Sequence, residues 1–213
     1  MVQRSDQINI LKGMIIKFKQ LYRAFQAYKN SPNLGDFALL KADALGAKAN
    51  PAAIAKMERV RGYYPEIVLS ELEQLPPGTF GYEYAAFVKC NCLKPINISP
   101  ELAEIAQNNV FALRYAITHD MFHVLLGFDT SYAGEIGVLA FAAAQRYSRS
   151  QAFSLRIATW LYPLLAPQQF NRIFKNKRRG KQMGEKANFL LNYRFEDSWA
   201  KPLTALRQEL NLC

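Results

Sequence analysis

Val110-Phe-Ala-Leu-Arg-Tyr-Ala-Ile-Thr-His-Asp-Met-Phe-His-Val-Leu-Leu-Gly127 is the stretch that decides the fold. Asn108 or Asn109 stands where an N-cap belongs and Gly127 where a helix stops, so the spacing predicts one long helix over 110–126. That helix is apolar along Phe111, Leu113, Ile117, Met121, Phe122 and Leu125. Into it are set the chain's two histidines, His119 and His123, with Asp120 between them. At about 100° per residue the two imidazoles stand about 40° apart round the helix, with Asp120 about 100° from His119, so all three polar groups share one arc. Ala112 and Ala116, one turn back, are small enough to leave space above them.

A turn over 127–131 leads to Ser131, the cap of a second helix predicted to run to about Arg149, with Glu135 in its first turn. Two antiparallel helices joined by so short a loop bring Glu135 back beside His123. Each residue alone has a plainer explanation: a hydrogen-bonded core histidine, an aspartate paired with an arginine, a glutamate favoured by the helix dipole. Together they form a donor set for one cation, two imidazoles with carboxylates completing the shell. Zinc peptidases use His-Glu-x-x-His with a further ligand downstream, but here Asp120 replaces the glutamate and no third histidine exists. His-Asp phosphohydrolases share His119-Asp120 but need an upstream histidine, which is also missing. A two-His, two-carboxylate site remains, of His119, Asp120, His123 and Glu135, borderline between zinc and iron or manganese.

The rest of the chain extends the helical reading. Ile8, Leu11, Ile15, Phe18, Tyr22 and Phe25 draw one stripe, predicting an amphipathic N-terminal helix within residues 1–30 whose other faces carry Lys12, Lys17, Lys19 and Arg23. Further helices are predicted over 36–45, 52–61, 67–74, 83–88, 100–107, 154–165 and 168–177, with helical segments from 186 to 211 broken near Pro202. Apolar and polar residues never alternate long enough for a confident strand. The expected fold is all-α: residues 1–213 form a single helical domain, a bundle with its metal site between two adjacent helices.

At 213 residues, 50% of them hydrophobic, the chain can bury a core without staples. Cys90, Cys92 and Cys213 make an odd count with no second pair, which argues against a disulfide framework or a cysteine metal site. No secretory leader is legible, and the apolar run 136–144 is too short for a membrane span. The expected location is cytoplasmic, with any membrane contact peripheral and at an inner face. The net charge of +10, from 27 basic and 17 acidic residues, favours an anionic partner. The basic run Arg172, Lys175, Lys177, Arg178, Arg179, Lys181 lacks interleaved aromatics, which disfavours nucleic acid and suits an anionic membrane surface.

His119-Asp120-x-x-His123, eleven residues, then Glu135 resembles the signature of the fourth of the Coq proteins, of coenzyme Q (ubiquinone) biosynthesis. Leu75-Pro-Pro-Gly-Thr-Phe-Gly81 and the ending Phe195-Glu-Asp-x-Trp199-x-x-Pro202-Leu203 with Leu206-Arg207-x-Glu209-Leu210 are similar to that family too. The resemblance runs from roughly residue 60 to the end. It implies a divalent metal, usually taken as zinc, at His119, Asp120, His123 and Glu135. It also implies peripheral membrane association (on the matrix side for a processed mitochondrial chain) and a groove for a polyprenyl tail. Its members help to assemble quinone-synthesis enzymes and are credited with removing the C1 carboxyl of a polyprenylated hydroxybenzoate and hydroxylating that carbon.

Two functions follow as expectations. The first is an enzyme in which metal activates the substrate and Asp120 or Glu135 moves a proton. The second is a non-catalytic isoprenoid-binding scaffold, partnered by other quinone-biosynthesis proteins, an anionic membrane surface or a second copy of the chain.

Overall fold

Two neighbouring helices, α6 (Val110–Leu126) and α7 (Tyr132–Ala144), are apolar nearly all round and lie at the centre of the fold. The computed structural model describes residues 34–44 and 46–212, so the predicted N-terminal amphipathic helix lies outside the described residues. Before α6 come α1 (Leu34–Ala44), α2 (Pro51–Met57), α3 (Leu69–Leu72), α4 (Phe80–Cys90) and α5 (Ala103–Asn108). After α7 come α8 (Arg149–Leu165), α9 (Phe170–Lys186) and α10 (Leu203–Glu209), with short 3-10 turns between. Among the described residues no strand forms; the sole sheet-like pairing is an isolated bridge from Thr79 to Pro202. The all-helical expectation holds.

Local chemistry sets the ends of the central pair. The Asn109 side chain accepts from the Ala112 amide at 3.1 Å, and Gly127 closes α6 in the left-handed region at φ 65°. Ser131 Oγ accepts from the Gly134 amide at 3.3 Å to start α7. The last carbonyls of α6 are not left bare. Arg207 donates to Leu125 and Val124, both at 2.8 Å, and Arg179 to Leu126 at 3.0 Å.

The predicted helix after Ser131 overran. It stops at Ala144; Arg146 takes a positive φ of 56°, and Ser148 caps α8 five residues earlier than expected. Apolar patterning continues across this corner because Tyr147 is fully buried, which hid the break. The helix predicted over 168–177 runs on to Lys186, carried by Gly180 and Gly184, whose missing side chains let α9 lie against α7. α4 begins at Phe80, three residues before expected, because the Thr79 side chain caps it.

The main core gathers Phe80, Tyr84, Phe122, Phe141 and Phe195 from α4, α6, α7 and the C-terminal segment. Arg114 of α6 is fully buried within it and pairs with Glu196 at 2.7 Å, tying the C-terminal segment to the site helix. α8 leans on α7 through Leu155, Ala158 and Tyr162 and leaves Phe153, Trp160 and Leu164 exposed on its other faces.

Candidate metal centre

His119 and His123 project from adjacent turns of α6, and their rings stand 5.0 Å apart. The short loop returns α7 so that Glu135 faces both. Glu135 Oε1 lies 3.3 Å from His123 Nε2, and Oε2 lies 3.6 Å from His119 Nε2. Ligand atoms of His119, His123 and Glu135 all fall within 4.8 Å of one another, a grouping that could hold one metal ion.

The protonation pattern suits that role. His123 is buried, with Nδ1 3.2 Å from the Phe128 carbonyl oxygen. A carbonyl can only accept, so Nδ1 carries a proton, and in the neutral ring Nε2 keeps a free lone pair. That Nε2 is buried and has no hydrogen-bond partner among the described residues, although Glu135 is within ion-pair distance. The two contacts agree once direction is considered: Nε2 and the carboxylate lie near each other without the alignment of a hydrogen bond. A buried lone pair left in this way fits a cation, and the carbonyl on the opposite nitrogen is the usual outer support of a ligating imidazole.

Asp120, the fourth expected ligand, stands elsewhere. Its Oδ1 lies 3.4 Å from Nδ1 of His119, so it addresses the nitrogen opposite the one facing Glu135. Burial lowers the His119 pKa, but the hydrogen bond to Asp120 and the charges of Glu135 and Asp120 outweigh it, leaving the pKa above its ordinary value. The imidazole is thus held between two carboxylates.

Aromatic groups complete the surroundings. Phe87 of α4 stacks on His123 at 5.6 Å, and Tyr115, one turn before His119, meets that ring edge-on at 5.9 Å. A cleft of about 440 Å³, lined by Glu83, Phe87, Cys90, His123, Phe128 and Arg207 among others, reaches His123. The sequence reading passed over Tyr115, although its position four residues before His119 puts it on the same helix face. Phe87 comes from a helix distant in sequence, so spacing from the histidines carries no record of its contact with His123.

Residues 57–213 match the family model described as coenzyme Q (ubiquinone) biosynthesis protein Coq4. Among curated proteins the chain is similar to mitochondrial ubiquinone biosynthesis protein COQ4 homologs. Identity is 33% over 174 residues with that of Rattus norvegicus, 34% over 167 with Mus musculus and 31% over 164 with Homo sapiens. Each alignment covers 73% of this chain and 58% of the relative, so the chain spans little more than half the relatives' length. A crystal structure of a Nostoc punctiforme protein superposes with a TM-score of 0.61 over 96% of this chain and 98% of that one. At 24% identity that likeness speaks for the fold alone.

Proposed function

The chain belongs to the coenzyme Q (ubiquinone) biosynthesis protein Coq4 family, and on that premise we propose that it acts in quinone biosynthesis on a polyprenylated hydroxybenzoate. The reaction in this reading would replace the C1 carboxyl by a hydroxyl, dioxygen supplying one oxygen atom, the carboxyl leaving as CO2 and an external two-electron donor reducing the second oxygen atom to water; a bound divalent metal would assist it. The observation that carries it is the buried, unpartnered Nε2 of His123 beside His119 and Glu135. These three residues would hold the metal. When bound, a divalent metal supplies Lewis acidity toward a carboxylate or ring oxygen, and iron or manganese would suit an oxidative step better than zinc.

The remaining roles belong to the chain's own groups. Asp120 orients His119 through Nδ1 and supports that ring from the side away from Glu135. In this reading Asp120, or Glu135 in place of full ligation, takes a proton from the substrate or returns one. Phe87 and Tyr115 wall the two imidazoles and limit water around them.

The test is metal content by elemental mass spectrometry, on protein purified without a metal-affinity column. About one zinc, iron or manganese per chain, lost in both His119→Ala and Glu135→Ala, is the expected result. A wild-type protein free of metal overturns the metal-centred reading.

A second reading is favoured by one observation: α8 exposes Trp160 at 79%, Leu164 at 78% and Phe153 at 63%. In it the chain is a non-catalytic polyprenyl-lipid carrier that organises other quinone-biosynthesis proteins at an anionic membrane, alone or as a homodimer. No helix among the described residues is long and apolar enough to cross a membrane, so the contact would be peripheral. Exposed Lys175 and Arg178 would face the lipid phosphates. Prenyl lipid that co-purifies without turnover, with salt-sensitive binding to anionic liposomes and none to DNA, supports this reading.

A further inference from the structure

Phe128 is the first residue beyond Gly127, and both of its backbone polar groups return to one residue of α6. Its amide donates to the His123 carbonyl oxygen at 3.1 Å, and its own carbonyl oxygen lies 3.2 Å from His123 Nδ1. The bond that orients the His123 imidazole therefore comes from a loop residue. A loop peptide can orient a ligand no more firmly than it is itself held.

Two neighbours hold this one. The buried Phe128 ring rests on Gly137 of α7, where an added Cβ would meet three of the ring atoms at 2.8 Å. Over the same ring stands Arg179 of α9, its guanidinium carbon 4.9 Å from the centroid. Through Nη2 that guanidinium also donates to the Leu126 carbonyl oxygen at 3.0 Å, so one side chain grips the residues on either side of Gly127. A planar guanidinium can lie over an aromatic face and hydrogen-bond at once, which a compact ammonium does less well. Arg179 sits in the basic run of α9, yet its charged head is engaged at the end of α6.

We propose that Arg179, acting through Phe128, is a positioning residue of the candidate metal centre: it fixes the carbonyl that holds His123 Nδ1, and so the direction of Nε2. This rests on the metal-centred reading above and extends it to a residue that works through another. If the Phe128 peptide shifted, the buried Nδ1–H would lose its acceptor, and the ring would turn or move its proton to the other nitrogen. Two simpler roles for Arg179 give different results. A cation that acts by charge alone weakens the binding of a dication, so its removal would tighten binding. A guanidinium that only caps α6 adds stability and leaves the metal affinity of the folded protein alone.

The test measures zinc affinity by competition with a chromophoric chelator, on wild type, Arg179→Gln, Arg179→Lys and Arg207→Gln. Melting temperatures and ¹⁵N spectra of His123 are taken on the metal-free proteins. Arg179→Gln is expected to bind zinc about tenfold more weakly, as loss of an outer support does, and to lose the single Nδ1-protonated form of the neutral His123 ring. Arg179→Lys keeps the charge without the planar fork and should fall between wild type and Arg179→Gln. Arg207 donates to Val124 and Leu125 instead, so Arg207→Gln should melt lower while losing less zinc affinity. Unchanged or tighter zinc binding in Arg179→Gln overturns the proposal. An equal loss in Arg207→Gln also overturns it, because the effect would then belong to the helix end and not to Phe128. The metal reading fails separately: wild type would bind no zinc while the His123 tautomer still depended on Arg179. A tautomer indifferent to Arg179 overturns the positioning role whether or not zinc binds.

Discussion

Gly180 of α9 lies against the carbonyl oxygen of Gly137 in α7, so close that a side chain at 180 has no room. Gly184 repeats the contact one turn on, where an added Cβ would sit 2.6 Å from the Phe141 carbonyl oxygen. This backbone-to-backbone seam fixes the height of α7, and with it Glu135, two residues from Gly137. Gly180→Ala must therefore push the helices apart. We expect a loss of roughly 1–3 kcal/mol, the usual range for overpacking, together with weaker metal retention. Urea unfolding and metal analysis check both; a change below about 0.5 kcal/mol, the scatter of ordinary surface substitutions, would mean the seam tolerates a methyl group.

The tautomer of His123 is readable by nuclear magnetic resonance. Its Nδ1 faces the Phe128 carbonyl, so the neutral ring should show a protonated Nδ1 and a bare Nε2 in ¹⁵N correlation spectra of metal-free protein. Added zinc should then perturb Nε2. A spectrum with the proton on Nε2 would contradict the ligand geometry.

Arg114 and Glu196 are 0% and 3% exposed at their side chains. Arg114 also donates to the carbonyls of Tyr63 and Tyr193, at 3.2 and 2.8 Å. Removing one partner strands the other charge, so Glu196→Leu should cost about 3–5 kcal/mol. The double variant Arg114→Met with Glu196→Leu should cost clearly less than the sum of the single changes. Strict additivity in a double-mutant cycle would rule out direct coupling.

Asp129 governs the loop that delivers Glu135. Its carboxylate accepts from Arg172 at 2.6 Å and from Ser131 Oγ at 2.6 Å. Burial raises its pKa, but the hydrogen bonds from Ser131 and Arg172 outweigh that and hold it below the ordinary 3.8. A depressed folded pKa contributes stability that is present above the unfolded value and is lost as pH falls through the folded one. Asp129→Asn should thus be less stable than wild type at neutral pH, with the gap closing as pH drops below 3.8. Unfolding curves at neutral and acid pH decide it; a gap unchanged in acid would remove the carboxylate from the explanation.

The helical class, the limits of α6 and the return of Glu135 toward His123 were legible because each is local. Asn109, Gly127 and Ser131 act within one turn of their own position, and a loop of a few residues leaves the chain little choice of direction. The end of α7 was not legible, because buried Tyr147 keeps the apolar pattern going across the turn at Arg146. The length of α9 was missed because two glycines look like breakers until α7 is seen lying against them.

By itself, then, the sequence determined an all-helical chain with His119, His123 and Glu135 on facing helices, since period and capping depend on near neighbours. Tertiary structure alone decided that Asp120 addresses the far nitrogen of His119, that Phe128 sets the His123 tautomer, and that Phe87 stacks on the His123 ring. Those facts depend on side-chain direction and on partners brought from other helices, and residue spacing carries no record of either.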